Sequence, residues 1–182
     1  MSKLSHPIEK HIKTITYMGV EFMIVKRPDV LWVGCVGYAN NNTDESDIGT
    51  TRKRFFDLVD VVKNGLINPG YGAALSINYG CDDKPCGLMF AEETQSDKQD
   101  GRYDLFTQPG GLWLRLYITD DADAALLGRK NHGLWEYFAK DVLKNAAEEN
   151  GYKINPDIDI AVEYNHHDGD NANYLYVPVL AV

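Results

Sequence analysis

Residues 28–33 read PDVLWV and residues 109–114 read PGGLWL, so the pattern Pro-x-x-Leu-Trp-aliphatic occurs twice in a chain of 182 residues. A second landmark repeats in the same order: Ile67-Asn68-Pro69 and Ile154-Asn155-Pro156 each follow a glycine, Gly65 or Gly151, placed to close a helix. Between the landmarks each half carries a helical pattern. In TRKRFFDLVDVVKNG, residues 51–65, Phe55, Leu58, Val59 and Val62 recur at helical spacing; in GLWEYFAKDVLKNAAEENG, residues 133–151, Trp135, Phe138, Val142 and Ala146 do the same. An alternating strand follows each INP, AALSINY ending at Tyr79 or IDIAVEY ending at Tyr164. A polar turn and a last strand, GLMFAEE or NYLYVPVLAV, complete each half.

Each half therefore reads strand, helix, strand, turn, strand. A further strand, YMGVEFMIVK, leads into the first half, and YDLFTQP extends the second. One such unit cannot bury its helix alone, whereas two side by side form one core. The predicted fold class is α+β: two pseudo-symmetric halves, about 18–95 and 103–182, within a single domain spanning 1–182. They form one curved antiparallel sheet with the helices on its outer face and a concave pocket between the halves.

Composition narrows the function classes. With 44% apolar and 25% charged residues the chain is of ordinary globular type. Its formal charge of -9 opposes a phosphate backbone, and the densest basic run, Arg52-Lys53-Arg54, precedes Phe55 and Phe56 as a solvated helix face would. No direct nucleic-acid partner is expected, and the residues before the first strand are too few for a helix-turn-helix. No apolar run approaches the ~20 residues that span a bilayer, and the first residues lack a secretory pattern, so a cytoplasmic location without membrane contact is expected. Cys35, Cys81 and Cys86 make an odd count, read as reduced thiols.

The two LW strands, the segment GLWEYFAKDVLKNAAEENGYKINPDIDIAVEY and the terminal LYVPV together resemble the GyrI-like small-molecule-binding domain, also found as the effector-binding module of AraC-type and MerR-type multidrug regulators. The resemblance covers about residues 18–182. It implies a pocket at the junction of the halves with an acidic residue at its floor, and Glu163 is the matching position. The family commonly has Glu-x-Tyr, whereas Glu163 and Tyr164 are adjacent and point to opposite faces of a strand.

Strand alternation sorts the candidates. Ile158, Ile160, Val162 and Tyr164 share the face expected to meet the helices, which leaves Glu163 on the pocket side; likewise Leu75, Ile77 and Tyr79 are expected to face the helices and Asn78 the pocket. Aligned at the tyrosines, Asn78 corresponds to Glu163. Trp113, Arg115 and Tyr117 share a pocket-side face opposite Leu112, Leu114, Leu116 and Ile118, and Trp32 shares one with Gly34 and Val36. A recessed carboxylate among aromatic rings suits a cationic aromatic ligand or the activation of a water molecule.

The ligand-binding set is therefore Glu163, Trp113, Tyr117, Trp32 and Asn78. Three functions remain open at this point: capture of an aromatic or cationic small molecule; hydrolysis of strained cyclopropane compounds, as in some members of the resembled family, with Glu163 catalytic and Tyr79 a conditional proton donor; or inhibition of a protein partner. No cofactor and no metal are expected. The run NHHDGDNAN, residues 165–173, reads as a hairpin turn, since an EF-hand beginning at Asp168 would place Asn173 at its glycine and Val179 at its closing glutamate.

Overall fold

The structure is a computed structural model that describes residues 7–39, 45–78, 86–129, 134–166 and 173–182. Its strands are β1 (Lys10–Tyr17), β2 (Val20–Arg27), β3 (Val30–Ala39), β4 (Tyr71–Ile77), β5 (Cys86–Thr94), β6 (Asp104–Gln108), β7 (Gly111–Ile118), β8 (Tyr152–Ile154), β9 (Ile160–His166) and β10 (Asn173–Ala181). The helices are α1 (Glu45–Asp57), α2 (Asp120–Leu127), α3 (Leu134–Ala139) and α4 (Val142–Glu148). The strands form one antiparallel sheet in the order β1-β2-β7-β10-β9-β4-β5-β3-β6, and the short β8 also pairs with β10.

The duplication is visible in that order. Its centre is the β9–β4 pair, flanked on one side by β10 then β7 and on the other by β5 then β3, so each half presents its three main strands in mirrored sequence. The lead-in strands are exchanged between halves. β2, which precedes the first half, pairs with β7 of the second; β6, which precedes the second, pairs with β3 of the first.

The two pairings share one register, running from Phe22↔Leu116 to Arg27↔Gly111 and resuming from Val30↔Gln108 to Gly34↔Asp104. They are one two-stranded ribbon bent where Pro28-Asp29 passes Pro109-Gly110. At the bend Gly110 N–H donates to Asp29 Oδ1 at 2.7 Å, and a Cβ on Gly110 would lie 2.7 Å from the Pro28 carbonyl carbon. The repeated PxxLW signature marks this crossing: its proline withholds an N–H where the ladder breaks, and its glycine admits the close approach.

Both faces of the sheet are buried. On the outer face Phe22, Ile24, Leu114, Leu116, Leu175 and Val177 pack with Leu126, Val142, Leu143 and Ala146 of the helices, while Val33 and Cys35 pack with Phe55 and Leu58 beside α1. The inner face carries a second apolar cluster containing both LW tryptophans.

Several expected elements differ in detail. The lead-in segment is a hairpin: Met18 (φ 49) and Gly19 (φ 79) turn β1 onto β2. Helix α1 begins at Glu45 and ends at Asp57, so Val59 and Val62, placed on its apolar face by spacing, are 68% and 73% exposed, and Val61 packs inward instead. The second helix is two, because Asp141 (φ 53) breaks the run between α3 and α4. Helix α2 is an element additional to the expected ones; the Thr119 side chain caps it by accepting the Ala122 N–H, and Gly128 ends it in the left-handed region. Tyr137 ties α3 to α2 through a buried hydrogen bond to Asp123.

Candidate functional site

The inner face is built from every second residue of its strands. β3 supplies Trp32, β7 supplies Trp113, Arg115 and Tyr117, β9 supplies Val162 and Tyr164, and β10 supplies Tyr174 and Tyr176; Leu75, Met89 and Ala91 fill between them. Trp32, Trp113 and Tyr164 have no accessible surface. Tyr164 meets Trp32 edge-on at 6.1 Å and Tyr176 at 6.5 Å, and Tyr117 stacks on Tyr174 at 4.9 Å. Such offset and edge contacts suit the charge distribution of aromatic rings.

Charged groups sit among these rings. Glu93, directly across from Trp32 in the ladder, pairs with Arg27 at the bend of the ribbon, and both side chains are fully shielded. Ahead of β1, Glu9 reaches over the same face: its Oε2 accepts from Arg115 Nη1 at 2.9 Å, and its Oε1 lies 3.7 Å from Arg27 Nε. The guanidinium of Arg115 lies 4.1 Å from the centre of the Tyr174 ring, and that of Arg27 lies 4.9 Å from the centre of Tyr176. Burial opposes the charge on Arg27, yet Glu93, Tyr176 and Glu9 outweigh it and hold its pKa above the ordinary value. Burial and the neighbouring Glu9 carboxylate push the Tyr176 phenol well above its usual range, keeping it neutral.

Polar groups here exceed their partners. Trp32 Nε1–H donates to Gln108 Oε1 at 2.9 Å, but Gln108 Nε2, Trp113 Nε1 and Arg27 Nε and Nη1 are shielded without a hydrogen-bond acceptor. Buried donors are nearly always satisfied in folded proteins, by protein, by water or by a bound molecule. This concentration distinguishes the inner face from the apolar clusters beneath the helices.

No family profile and no curated protein sequence matches the chain. Solved structures do. A bacterial transcription regulation protein from Staphylococcus aureus MU50 superposes with a TM-score of 0.59 at 14% identity, covering 88% of this chain and 99% of that one. SAV2435 bound to tetraphenylphosphonium gives 0.58 at 14% identity over 87% and 93%, and the EcmrR C-terminal domain gives 0.56 at 14% over 90% and 99%. The chain shares the fold of these proteins, an α+β fold of the kind that its resemblance to the GyrI-like domain implies.

Within this shared fold the expected site residues divide between two faces. Trp32, Trp113 and Tyr117 lie on the inner face, as alternation predicts. Glu163 does not: it stands directly across from Leu175 and Ala74 in the ladders, and Leu175 belongs to the cluster beneath the helices, so Glu163 faces outward while Val162 and Tyr164 face inward. The β4 assignment reverses in the same way, with Leu75 and Ile77 inward. Alternation separates two faces without saying which is which, and here the aromatic inner face is as buried as the helix side.

Glu163 is half-buried, and desolvation raises its pKa. Asn78 falls just past the end of β4 with φ 56, its N–H donating to the Asp159 carbonyl, and carrying Trp32 onto Trp113 through the ladder registers brings Ala74, not Asn78, onto Glu163. Tyr79 and residues 167–172 of the expected turn lie outside the described residues. Among the described residues no group of three His, Cys, Asp or Glu side chains is placed to hold a metal, and no helix is long and apolar enough to cross a membrane.

The inner face also holds residues absent from the expected set. Glu93 could have been found, because FAEET continues the alternation of Met89 and Ala91 onto the inner face. Arg27 follows the same logic after Met23 and Val25. Glu9 gives no sequence signal, since its position depends on where β1 enters the sheet.

Proposed function

We propose that this protein is an effector-binding domain that holds a small aromatic molecule on the inner face of its sheet, with both halves, about 18–95 and 103–182, contributing to one site. The observation that carries this reading is the ring-lined inner face around Arg27, Glu93 and Arg115, where several shielded donors lack an acceptor. The ligand-bound state of SAV2435, which shares the fold, supports the use of this architecture for small molecules, and tetraphenylphosphonium is itself an aromatic cation. The carboxylates among these rings are Glu9 and Glu93 rather than Glu163. A surface of rings, which recognises flat apolar bodies with little directionality, is also suited to more than one ligand, in keeping with a multidrug-type module.

The test is intrinsic tryptophan fluorescence during titration with flat aromatic compounds, in the native protein and in Tyr174→Ala, Trp113→Phe and Glu163→Gln. Trp32 and Trp113 both report on the inner face. Saturable quenching that weakens in Tyr174→Ala, loses amplitude in Trp113→Phe and is unchanged in Glu163→Gln is expected. Absence of a saturable response to any compound, or its loss in Glu163→Gln alone, overturns the assignment.

A further inference from the structure

We infer that the ligand of this face is an anion, an aromatic carboxylate whose carboxyl group takes the place of the Glu9 side chain, and that residues 7–9 form a built-in competitor for the site. The inference rests on the inner-face reading above and names its ligand class.

Three observations converge on it. The first is charge. Glu9, Arg27, Glu93 and Arg115 are brought together with side chains no more than 6% accessible, and their formal charges cancel. The two carboxylates are held differently. Glu93 sits within β5, paired to Trp32 in the ladder, whereas Glu9 precedes the first residue of β1, the edge strand. When residues 7–9 lift away, Arg27, Arg115 and Glu93 remain, with one net positive charge in a poorly solvated place. A cation would meet that excess; an anion would cancel it.

The second observation is that the aromatic faces which would attract a cation are already engaged by cations. Arg115 lies over Tyr174 at 4.1 Å and over Tyr176 at 5.9 Å, and Arg27 lies over Tyr176 at 4.9 Å. An incoming ring can stack beside these tyrosines, but its charged group meets guanidinium edges. The third is hydrogen bonding: Arg27 Nε and Nη1, Gln108 Nε2 and Trp113 Nε1 are all donors awaiting acceptors. A carboxylate offers acceptor oxygens only, and guanidinium groups bind it through paired N–H···O contacts. Glu9 meets part of that demand with one oxygen on Arg115 and the other 3.7 Å from Arg27, beyond hydrogen-bond distance. Ile8 packs against the same cluster and stands where the ligand's apolar body would lie.

The experiment is calorimetric titration of the full chain and its Glu9→Gln and Arg115→Met variants with three probes of one shape: 1-naphthoate, 1-naphthylmethanol and 1-naphthylmethylammonium. Naphthoate is expected to bind tightest. Glu9→Gln should tighten naphthoate about tenfold by weakening the internal competitor, with a smaller change for the alcohol. Arg115→Met should bring naphthoate down to the level of the alcohol. A gain in affinity cannot arise from a folding defect, so Glu9→Gln decides the matter even where Arg115→Met fails to fold. Tightest binding of the ammonium, or naphthoate affinity unchanged in Glu9→Gln, overturns the inference and leaves the binding function standing. Failure of all three probes with both the native protein and Glu9→Gln overturns the binding function as well.

Discussion

Replacing Arg27 with methionine tests whether the polar groups of the inner face act as a unit. Arg27 and Glu93 are both fully shielded and paired. Two unit charges about 4 Å apart at an effective dielectric near 20 attract by about 4 kcal/mol, and breaking a buried pair by removing one member costs about 3 to 5 kcal/mol because the other charge stays desolvated. Arg27→Met should therefore destabilise the fold by about 3 to 5 kcal/mol. Glu93→Gln should cost less, since Arg27 keeps Glu9 nearby and the amide oxygen still accepts a hydrogen bond. The double variant, with no charge left in the pair, should be more stable than the sum of the single losses by about 2 kcal/mol or more, the size expected for directly coupled neighbours. Urea unfolding at neutral pH, followed by tryptophan fluorescence, gives all three values. Single losses below about 1 kcal/mol that simply add would refute the reasoning and place the pair in a wetter setting than its burial indicates.

Two further expectations follow from the sheet. A Cβ on Gly34 would stand 2.0 Å from the Phe90 carbonyl oxygen and 2.6 Å from Ala91 Cα, both backbone, so Gly34→Ala must push β3 from β5 and should cost about 3 kcal/mol or more; a thermal unfolding shift equivalent to less than about 1 kcal/mol would contradict that close approach. Glu163 has its pKa raised by burial above the ordinary 4.5. A raised native pKa means that its stabilising contribution is complete below 4.5 and is lost as pH rises through the native value, so the neutral Glu163→Gln should be more stable than the native protein at pH 7 and no more stable at pH 4. Urea midpoints at the two pH values decide it, and a less stable variant at pH 7 would show that the carboxylate has a favourable partner.

The sheet was legible in the sequence because its main features are periodic or repeated. The duplicated PxxLW and INP landmarks located equivalent strands, and the polar and aromatic side of β7 opposite Leu112, Leu114, Leu116 and Ile118 was correctly set inward. The central strands were not, because β4 and β9 have apolar residues on the face turned to the other half and only modest cover outside; Ile160, Val162 and Tyr164 resemble a helix-facing stripe but line the inner face. The exchange of lead-in strands was also hidden, since β2 and β6 pair with partners about 70 to 95 residues away and no local pattern records such a choice. The polar cluster escaped for the same reason: Glu9, Arg27, Glu93 and Arg115 are far apart in sequence, and only the ribbon's bend and the entry of β1 bring them together.

The crossed ribbon also makes the two halves mutually dependent. Because β2 pairs with β7 and β6 with β3, a cut near Gly101 would divide the chain into two fragments that each supply a strand to the other's sheet. A single unit of this kind would find its missing strand only in a second copy of itself. The duplicated chain thus has the architecture of a strand-swapped homodimer whose two partners have been joined end to end, and substitutions at Pro28, Asp29, Pro109 or Gly110 act on the clasp rather than on either partner.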